Sequence, residues 1–309
     1  MANSSTTAST LLALSNDLAD AVARAGQSIV AVNARPRIPS SGVHWREGLI
    51  VTAEHTVQRD EEISIILPDG KKEKAELVGR DSSTDLALLK ISGANPPLAE
   101  VGDATELKIG HLALAVARPG ERGLSASLGV VSALSGSWRT WGGSRIDQFI
   151  RLDLSIYPGF SGGALVDARG RVAGIITSGP RNSVMAIPAA TVNRVLEQLS
   201  SKGRIARGFL GLGMQPVRLP DALKGSLNLQ GHGGVIIVEV KSGGPADNAG
   251  VLIGDVLVEL DGRPISEPGD VHAALDPEQV GKTLKAKFVR AGARIELSIV
   301  VGERPPREE

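Results

Sequence analysis

The chain has 309 residues, 42% of them hydrophobic and 22% charged, and its 34 Lys and Arg balance its 34 Asp and Glu to a formal net charge of zero. A neutral chain of this size suits two globular domains at about 150 residues each, and it carries no general attraction for nucleic acid or anionic lipid. The absence of cysteine excludes disulfides, thiolate metal sites and a cysteine nucleophile, while 37 glycines favour many turns between short strands and hence a mostly-β fold.

Leu14, Leu18, Val22 and Ala25 recur at helical spacing, which predicts an amphipathic helix over 9–26. The N-terminus has no cationic n-region, and Ser15, Asn16 and Asp17 break its apolar run, so it reads as a poor signal peptide. No stretch reaches the roughly eighteen apolar residues that a membrane helix needs. As written the chain reads as cytoplasmic, or as periplasmic or otherwise extracytoplasmic if an export segment was removed. β-rich runs follow at 28–33, 48–52, 63–67, 75–79, 86–91 and 112–116, with Pro68-Asp69-Gly70 as a turn in which Pro sets φ and Gly supplies a positive one.

A second series of strands is predicted at 124–134, 148–153, 163–167, 171–177 and 184–188, closed by a helix over 189–202. Two β-rich blocks and one closing helix suggest two small barrels. Gly203 suits the left-handed position after that helix, so the domain boundary is placed near 203–207. Residues 208–302 read as a separate unit of strands and two helices, followed by a polar, proline-rich end. Trp138 and Trp141, in a Gly/Ser/Arg-rich loop, read either as substrate contacts or as cover for a barrel end.

The segment Pro158-Gly159-Phe160-Ser161-Gly162-Gly163 lies between two predicted strands and displays one hydroxyl on a small-residue turn. Nucleophilic acyl transfer needs that arrangement, because the N–H groups of Gly159 and Ser161 can then point at one oxyanion. A serine also needs a base and a group that orients the base. His55 follows the apolar run 48–52, and Asp85 immediately precedes the apolar run 86–91. Taken singly, the three residues could equally be a half-buried polar histidine, a strand cap and a turn hydroxyl. The remaining histidines, His44, His111, His232 and His272, form no HExxH or other close ligand set, so no metal and no cofactor are expected. In the C-terminal unit, the small residues around Gly208 and Gly211 let consecutive backbone N–H groups converge on an anion, the arrangement that holds a peptide C-terminal carboxylate.

VTAEHTV (51–57), STDLALLKI (83–91) and PGFSGGALVD (158–167), in the order His, Asp, Ser, resemble the three catalytic segments of the HtrA (high-temperature-requirement A) family. Further echoes lie at 96–120, 128–134, 171–177 and 185–199, and residues 233–265 resemble the core of an HtrA-type PDZ domain. The resemblance implies a mostly-β fold, a chymotrypsin-like double six-stranded β-barrel followed by an α+β PDZ domain. The segments would be an N-terminal helical piece at 1–26, a protease domain at 27–203, a PDZ domain at 204–303 and a tail at 304–309. It implies an ATP-independent serine endopeptidase acting on exposed or misfolded polypeptides, with His55 as general base, Asp85 as its orienter and Ser161 as nucleophile. Gly159 and Ser161 would supply the oxyanion hole, and Ser155, Tyr157 and Thr177 the primary specificity pocket. Peptide C-termini would bind at Phe209, Leu210, Gly211 and Leu212, facing Val271 and Leu275, for which core packing is the alternative. The expected partners are thus polypeptide substrates and peptide C-termini, with no nucleic acid and no membrane segment. Family members trimerise through aromatic contacts near the N-terminus, yet residues 1–40 contain no Phe, Tyr or Trp. Phe160 stands where the family commonly has Asn, and Tyr157-Pro158-Gly159 replaces Asn-Pro-Gly, so two aromatics flank the nucleophile turn. The rival reading is a proteolytically silent, PDZ-containing peptide-binding or chaperone protein on the same fold.

Overall fold

The computed structural model describes residues 3–93, 96–120, 123–140, 143–179, 183–205, 208–227, 229, 233–276 and 279–304. Trp141, His232 and residues 305–309, singled out above, lie outside the described residues. The chain divides into two compact units, Met1–Ile205 and Ala206–Glu309.

The first unit opens with helix α1 (Asn3–Gly26), which begins earlier than the periodicity suggested. Its second half packs through Ala21 and Ala25, whereas Leu11, Leu12 and Leu14 remain exposed, so Leu14 does not share the buried stripe. Strands β1 (Ile29–Asn33), β2 (Ser40–Arg46), β3 (Leu49–Ala53), β4 (Ile63–Ile66), β5 (Lys72–Asp81) and β6 (Leu86–Ile91) close into a barrel in the order β1-β2-β3-β6-β5-β4. A second barrel uses β7 (Leu112–Ala117) and β8 (Ser125–Ser135) and, after the small hairpin β9 (Trp138–Arg139) and β10 (Arg145–Ile146), β11 (Phe149–Asp153), β12 (Ala164–Val166), β13 (Val172–Ser178) and β14 (Val184–Pro188). These are the two six-stranded barrels that the resemblance implied. Helix α2 (Ala189–Lys202) follows and stops at Gly203, whose φ of 66° is the left-handed cap that a side chain resists.

The strands read as nearly unbroken apolar runs because both of their faces are covered. Val30, Ile50, Ala87 and Leu89 fill the first barrel, and Ala113, Ala115, Ile150 and Ile176 fill the second. The alternate residues Val51, Leu88, Val116 and Ile175 meet between the barrels, in one cluster with Ala21 and Ala25 of α1 and Val192, Val195, Leu196 and Leu199 of α2. Trp138 packs against this cluster and meets Phe149 edge to face at 5.9 Å, so it covers a barrel end.

The second unit carries β15 (Gly208–Phe209), β16 (Leu212–Arg218), α3 (Asp221–Ser226), β17 (Gly233–Val240), α4 (Pro245–Asn248), β18 (Val256–Leu260), β19 (Arg263–Pro264), α5 (Pro268–Ala274), β20 (Thr283–Arg290), β21 (Ala293–Val300) and β22 (Gly302–Glu303). Its sheet runs β16-β17-β18-β20-β21, which leaves β16 at an edge. Helix α5 starts where Glu267 and Asp270 cap each other around Pro268, and Val271 on it is fully buried among Val235, Leu257 and Phe288. Among the described residues, no helix is long and apolar enough to cross a membrane.

Candidate active site

Strand pairing places Ala53 opposite Leu86, so the residues just beyond one and just before the other run side by side, and Glu54 N donates to Asp85 O at 3.1 Å. His55 sits on a single 3-10 turn, Glu54–Thr56, pinned by the buried Thr56, whose hydroxyl lies 2.7 Å from Ala53 O and 2.9 Å from Ser40 Oγ. Asp85 has a φ of 56°, a left-handed conformation that a non-glycine residue adopts at a cost of about 1 kcal/mol. The preceding turn holds it there: Asp81 Oδ2 accepts from Thr84 N at 3.2 Å and from Thr84 Oγ1 at 2.8 Å. Asp81 is thus the cap of its own turn, while Asp85 serves the imidazole.

His55 N donates to Asp85 Oδ1 at 2.9 Å, both Asp85 oxygens lie 2.9 Å from His55 Nδ1, and the Thr177 hydroxyl donates to Oδ2. A carboxylate at Nδ1 fixes the proton there and leaves Nε2 as the basic nitrogen. The hydrogen bond to Asp85 raises the His55 pKa above its ordinary value; burial opposes the rise and the Asp85 charge adds to it.

Ser161 stands on the loop between β11 and β12. Gly162 N donates to Ile176 O at 2.9 Å and Ile176 N to Gly163 O at 2.8 Å, which ties the turn to β13. Gly162 has a φ of 84°, and a Cβ there would lie 2.1 Å from Ser41 O, so only glycine fits. Across the turn, fully buried Ser41 of β2 donates through N to Ser161 O at 3.1 Å and through its hydroxyl to Gly159 O at 2.7 Å, and that hydroxyl accepts from Arg118 N at 2.9 Å. Both carbonyls are thereby held, and among the described residues the N–H groups of Gly159 and Ser161 have no acceptor. Two unpaired donors flanking a serine form the set that stabilises a tetrahedral oxyanion. No hydrogen bond joins Ser161 Oγ to His55 Nε2 among the described residues, a contact that tightens when substrate arrives.

The pocket residues are placed less uniformly. Ser155 is exposed, Thr177 uses its hydroxyl on Asp85, and Tyr157 is 62% exposed with its ring edge-on to Phe160 at 5.7 Å. Phe160 does not project into the cleft. Its side chain is 2% exposed and belongs to the core of the second barrel. Ser41 escaped the sequence reading, because a lone hydroxyl in a strand carries no spacing signal, and Thr177, read there as a pocket residue, is found on Asp85. Among the described residues, no group of three or more His, Asp or Glu is placed to hold a metal ion.

In the C-terminal unit Leu210 O accepts from Ala246 N at 2.9 Å and Gly211 O from Lys241 N at 2.8 Å. The N–H groups of Leu210 and Gly211 have no acceptor among the described residues, and Gly211 has a φ of 78°. The Lys241 ammonium sits 5.6 Å from the centre of the Phe209 ring. Edge strand β16 begins at Leu212, with α5 beside it. Leu210 and Val271 are buried in the core, while Leu275 is half-buried and lies against Gly208.

A trypsin-like peptidase domain matches residues 40–175 and a PDZ domain residues 208–301. A probable periplasmic serine endoprotease DegP-like from Pseudomonas putida (strain GB-1) is 34% identical over 265 residues, 84% of this chain and 54% of that protein. Its counterpart from Chlamydia pneumoniae is 33% identical over 269 residues, 85% of this chain and 54% of that protein. The chain spans about half the length of the curated relatives it matches. Among solved structures, the HtrA-type protease AlgW with tripeptide superposes with a TM-score of 0.75 at 31% identity, covering 94% of this chain and 98% of that one. The serine endoprotease from Yersinia pestis gives a TM-score of 0.75 at 30% identity, covering 93% and 98%.

Two measurements test this geometry. The His55 ring protons, followed by NMR, titrate above the ordinary value of about 6.5, and Asp85→Asn moves the midpoint down, because the bond that favours the imidazolium is gone; an unmoved midpoint places the carboxylate's influence elsewhere. Ser41→Ala leaves Gly159 O and Arg118 N without their buried partner and lowers stability by about 1–3 kcal/mol, read from urea unfolding, whereas a change within error would show that water replaces the hydroxyl.

Proposed function

Because the chain belongs to the HtrA-type family of trypsin-like serine endoproteases carrying a PDZ domain, we propose that it hydrolyses peptide bonds of exposed or misfolded polypeptides through Ser161. His55 Nε2 takes the proton from Ser161 Oγ as that oxygen attacks the scissile carbonyl, then delivers it to the leaving amine. Asp85, held by Thr177, keeps the imidazole in the productive tautomer and stabilises the imidazolium. The N–H groups of Gly159 and Ser161 receive the oxyanion. The observation that carries this reading is the conjunction of an oriented histidine with two backbone donors left unpaired beside a serine.

In this reading residues 27–203 are the protease domain and 204–303 the PDZ domain, flanked by the helical segment 1–26 and the tail 304–309. Ser155, six residues before the nucleophile, takes the position where an acid would select Arg or Lys. Without that charge, desolvating a basic side chain costs several kcal/mol, more than the ~1–3 kcal/mol that separates apolar side chains of different size. The primary preference is therefore for Val, Ala or Leu. The relatives named periplasmic favour a place outside the cytoplasm over the cytoplasmic one that the N-terminal residues suggested. A homotrimer would draw on the exposed Leu11, Leu12 and Leu14 in place of aromatic contacts. The second unit takes peptide C-termini, with the N–H groups of Leu210 and Gly211 on the carboxylate, β16 adding the peptide as a strand, and Phe209, Leu212 and Leu275 at its side chains.

Ser161→Ala or His55→Ala lowers casein hydrolysis by about four to six orders of magnitude with the fold intact, and the wild-type cuts, mapped by mass spectrometry, follow aliphatic residues. Undiminished turnover in Ser161→Ala removes the mechanism, and a majority of cuts after Arg or Lys removes the pocket assignment. For the second unit, calorimetry with the Ser161→Ala protein finds a peptide with a free apolar C-terminus bound and its amidated form not; equal binding of the two rejects the carboxylate nest.

A further inference from the structure

On the first-barrel side of the nucleophile turn lies a groove of about 940 Å³. One wall is the stretch just before Ser161, with the exposed Tyr157 and Pro158; the other comes from the first barrel, with Arg37 and Ile38 between β1 and β2 and Lys72 at the start of β5. Among the described residues, no carboxylate lines it. Tyr157 and Ile38 offer apolar surface at 62% and 45% exposure, and Arg37 sets a cation beside it.

The loop that carries Arg37 is built stiffly. Pro36 and Pro39 fix φ on either side, Ile38 N donates to Pro36 O at 3.1 Å, and Arg35 Nε donates to Ile38 O at 2.8 Å. Arg59 reaches across to Asn33 Oδ1 at 3.2 Å and Arg35 O at 3.4 Å. Arg37 itself has a φ of 73°, a conformation that a side chain resists, and its guanidinium makes no hydrogen bond or ion pair among the described residues. Two neighbouring arginines thus fasten the loop while the strained one is left facing the groove. Strain kept at a residue with no structural partner is a mark of function.

The direction of the reaction says what passes there. The acyl half of the substrate stays on Ser161, with its oxyanion at Gly159 and Ser161. The leaving amine must take its proton from His55, which stands on the first barrel, so the chain beyond the scissile bond departs over that barrel and along this groove. The geometry points to the groove as the subsite for the leaving-group half of the substrate, selecting segments that carry an acidic side chain shortly after the scissile bond. The inference rests on the peptidase reading and specifies its substrates further.

The test uses the full chain and paired peptides that are identical before the scissile bond and carry Glu or Gln at the first, second or third position after it. At one of these positions wild type cleaves the Glu peptide about two- to fivefold more efficiently in kcat/KM, the scale of a solvent-exposed ion pair. Arg37→Ala brings the ratio to about one, and Arg37→Glu inverts it. The ratio is taken within one protein, so a partly misfolded variant does not distort it. Ratios of one at all three positions, in an enzyme that cleaves both peptides and is labelled at Ser161 by a fluorophosphonate, overturn the subsite and leave the peptidase standing. If wild type neither cleaves nor labels, the peptidase reading fails, and anisotropy with the same peptides reads the groove alone: tighter binding of Glu over Gln that Arg37→Ala abolishes supports it, and equal binding overturns it.

Discussion

His55 and the Ser161 turn come from different barrels, and a buried hydroxyl on β2 ties the two together. Ser41 gives its N–H to Ser161 O and its hydroxyl to Gly159 O, takes a bond from Arg118 N, and accepts at its own carbonyl from Thr52 Oγ1 at 2.6 Å. At zero exposure each bond lies in a medium of low dielectric, where an unmatched partner is costly. Ser161 belongs to the second barrel and His55 to the first, so this network, with Gly162 pressed against Ser41 O and Thr52, fixes the Ser161 turn against the barrel that carries His55.

An apolar seam lies beneath that network. Strands of both barrels present one face to their own interior and the other to a shared cluster, so the two sheets are locked by packing, and hydrogen bonds such as Arg118 Nε to Ile29 O at 2.7 Å hold particular residues in place. Thr177 follows the same logic. It emerges at the end of the buried strand β13 and reaches Asp85 on the opposite barrel, linking through one hydroxyl the orienting carboxylate to the sheet that also holds Gly162 and Gly163.

The strands, the closing helix and the three short segments around His55, Asp85 and Ser161 were legible in the sequence because each is local: an apolar run, a cap or a glycine-flanked serine is visible within ten residues. Strand β2 was not, since Ser40, Ser41, Gly42 and His44 form no apolar run, yet all are buried. Some of their polar groups are satisfied from the other barrel, as when the Ser41 hydroxyl donates to Gly159 O at 2.7 Å, and such partners have no signature in the local pattern. Phe160 illustrates the converse. An aromatic beside the nucleophile suggests a wall of the cleft, but the turn rotates it into the barrel interior. Val271, read at a groove or core position, is a core residue because α5 lies flat on its sheet.

Helix α2 comes last in the first unit, and yet it completes the seam. Val192, Val195, Leu196 and Leu199 are buried there, Asn193 Oδ1 accepts from Trp45 Nε1 at 2.8 Å, and a Cβ on Gly79 would lie 2.2 Å from Gly203 O. A chain emerging from a ribosome or a translocon exposes everything before residue 189 while that cover is still missing. The barrels then have an open apolar face, and the packing of the seam waits for the end of the unit. The order of residues along the polypeptide therefore acts as a timer: the packed form of the first unit is complete only once α2 has been made and has docked.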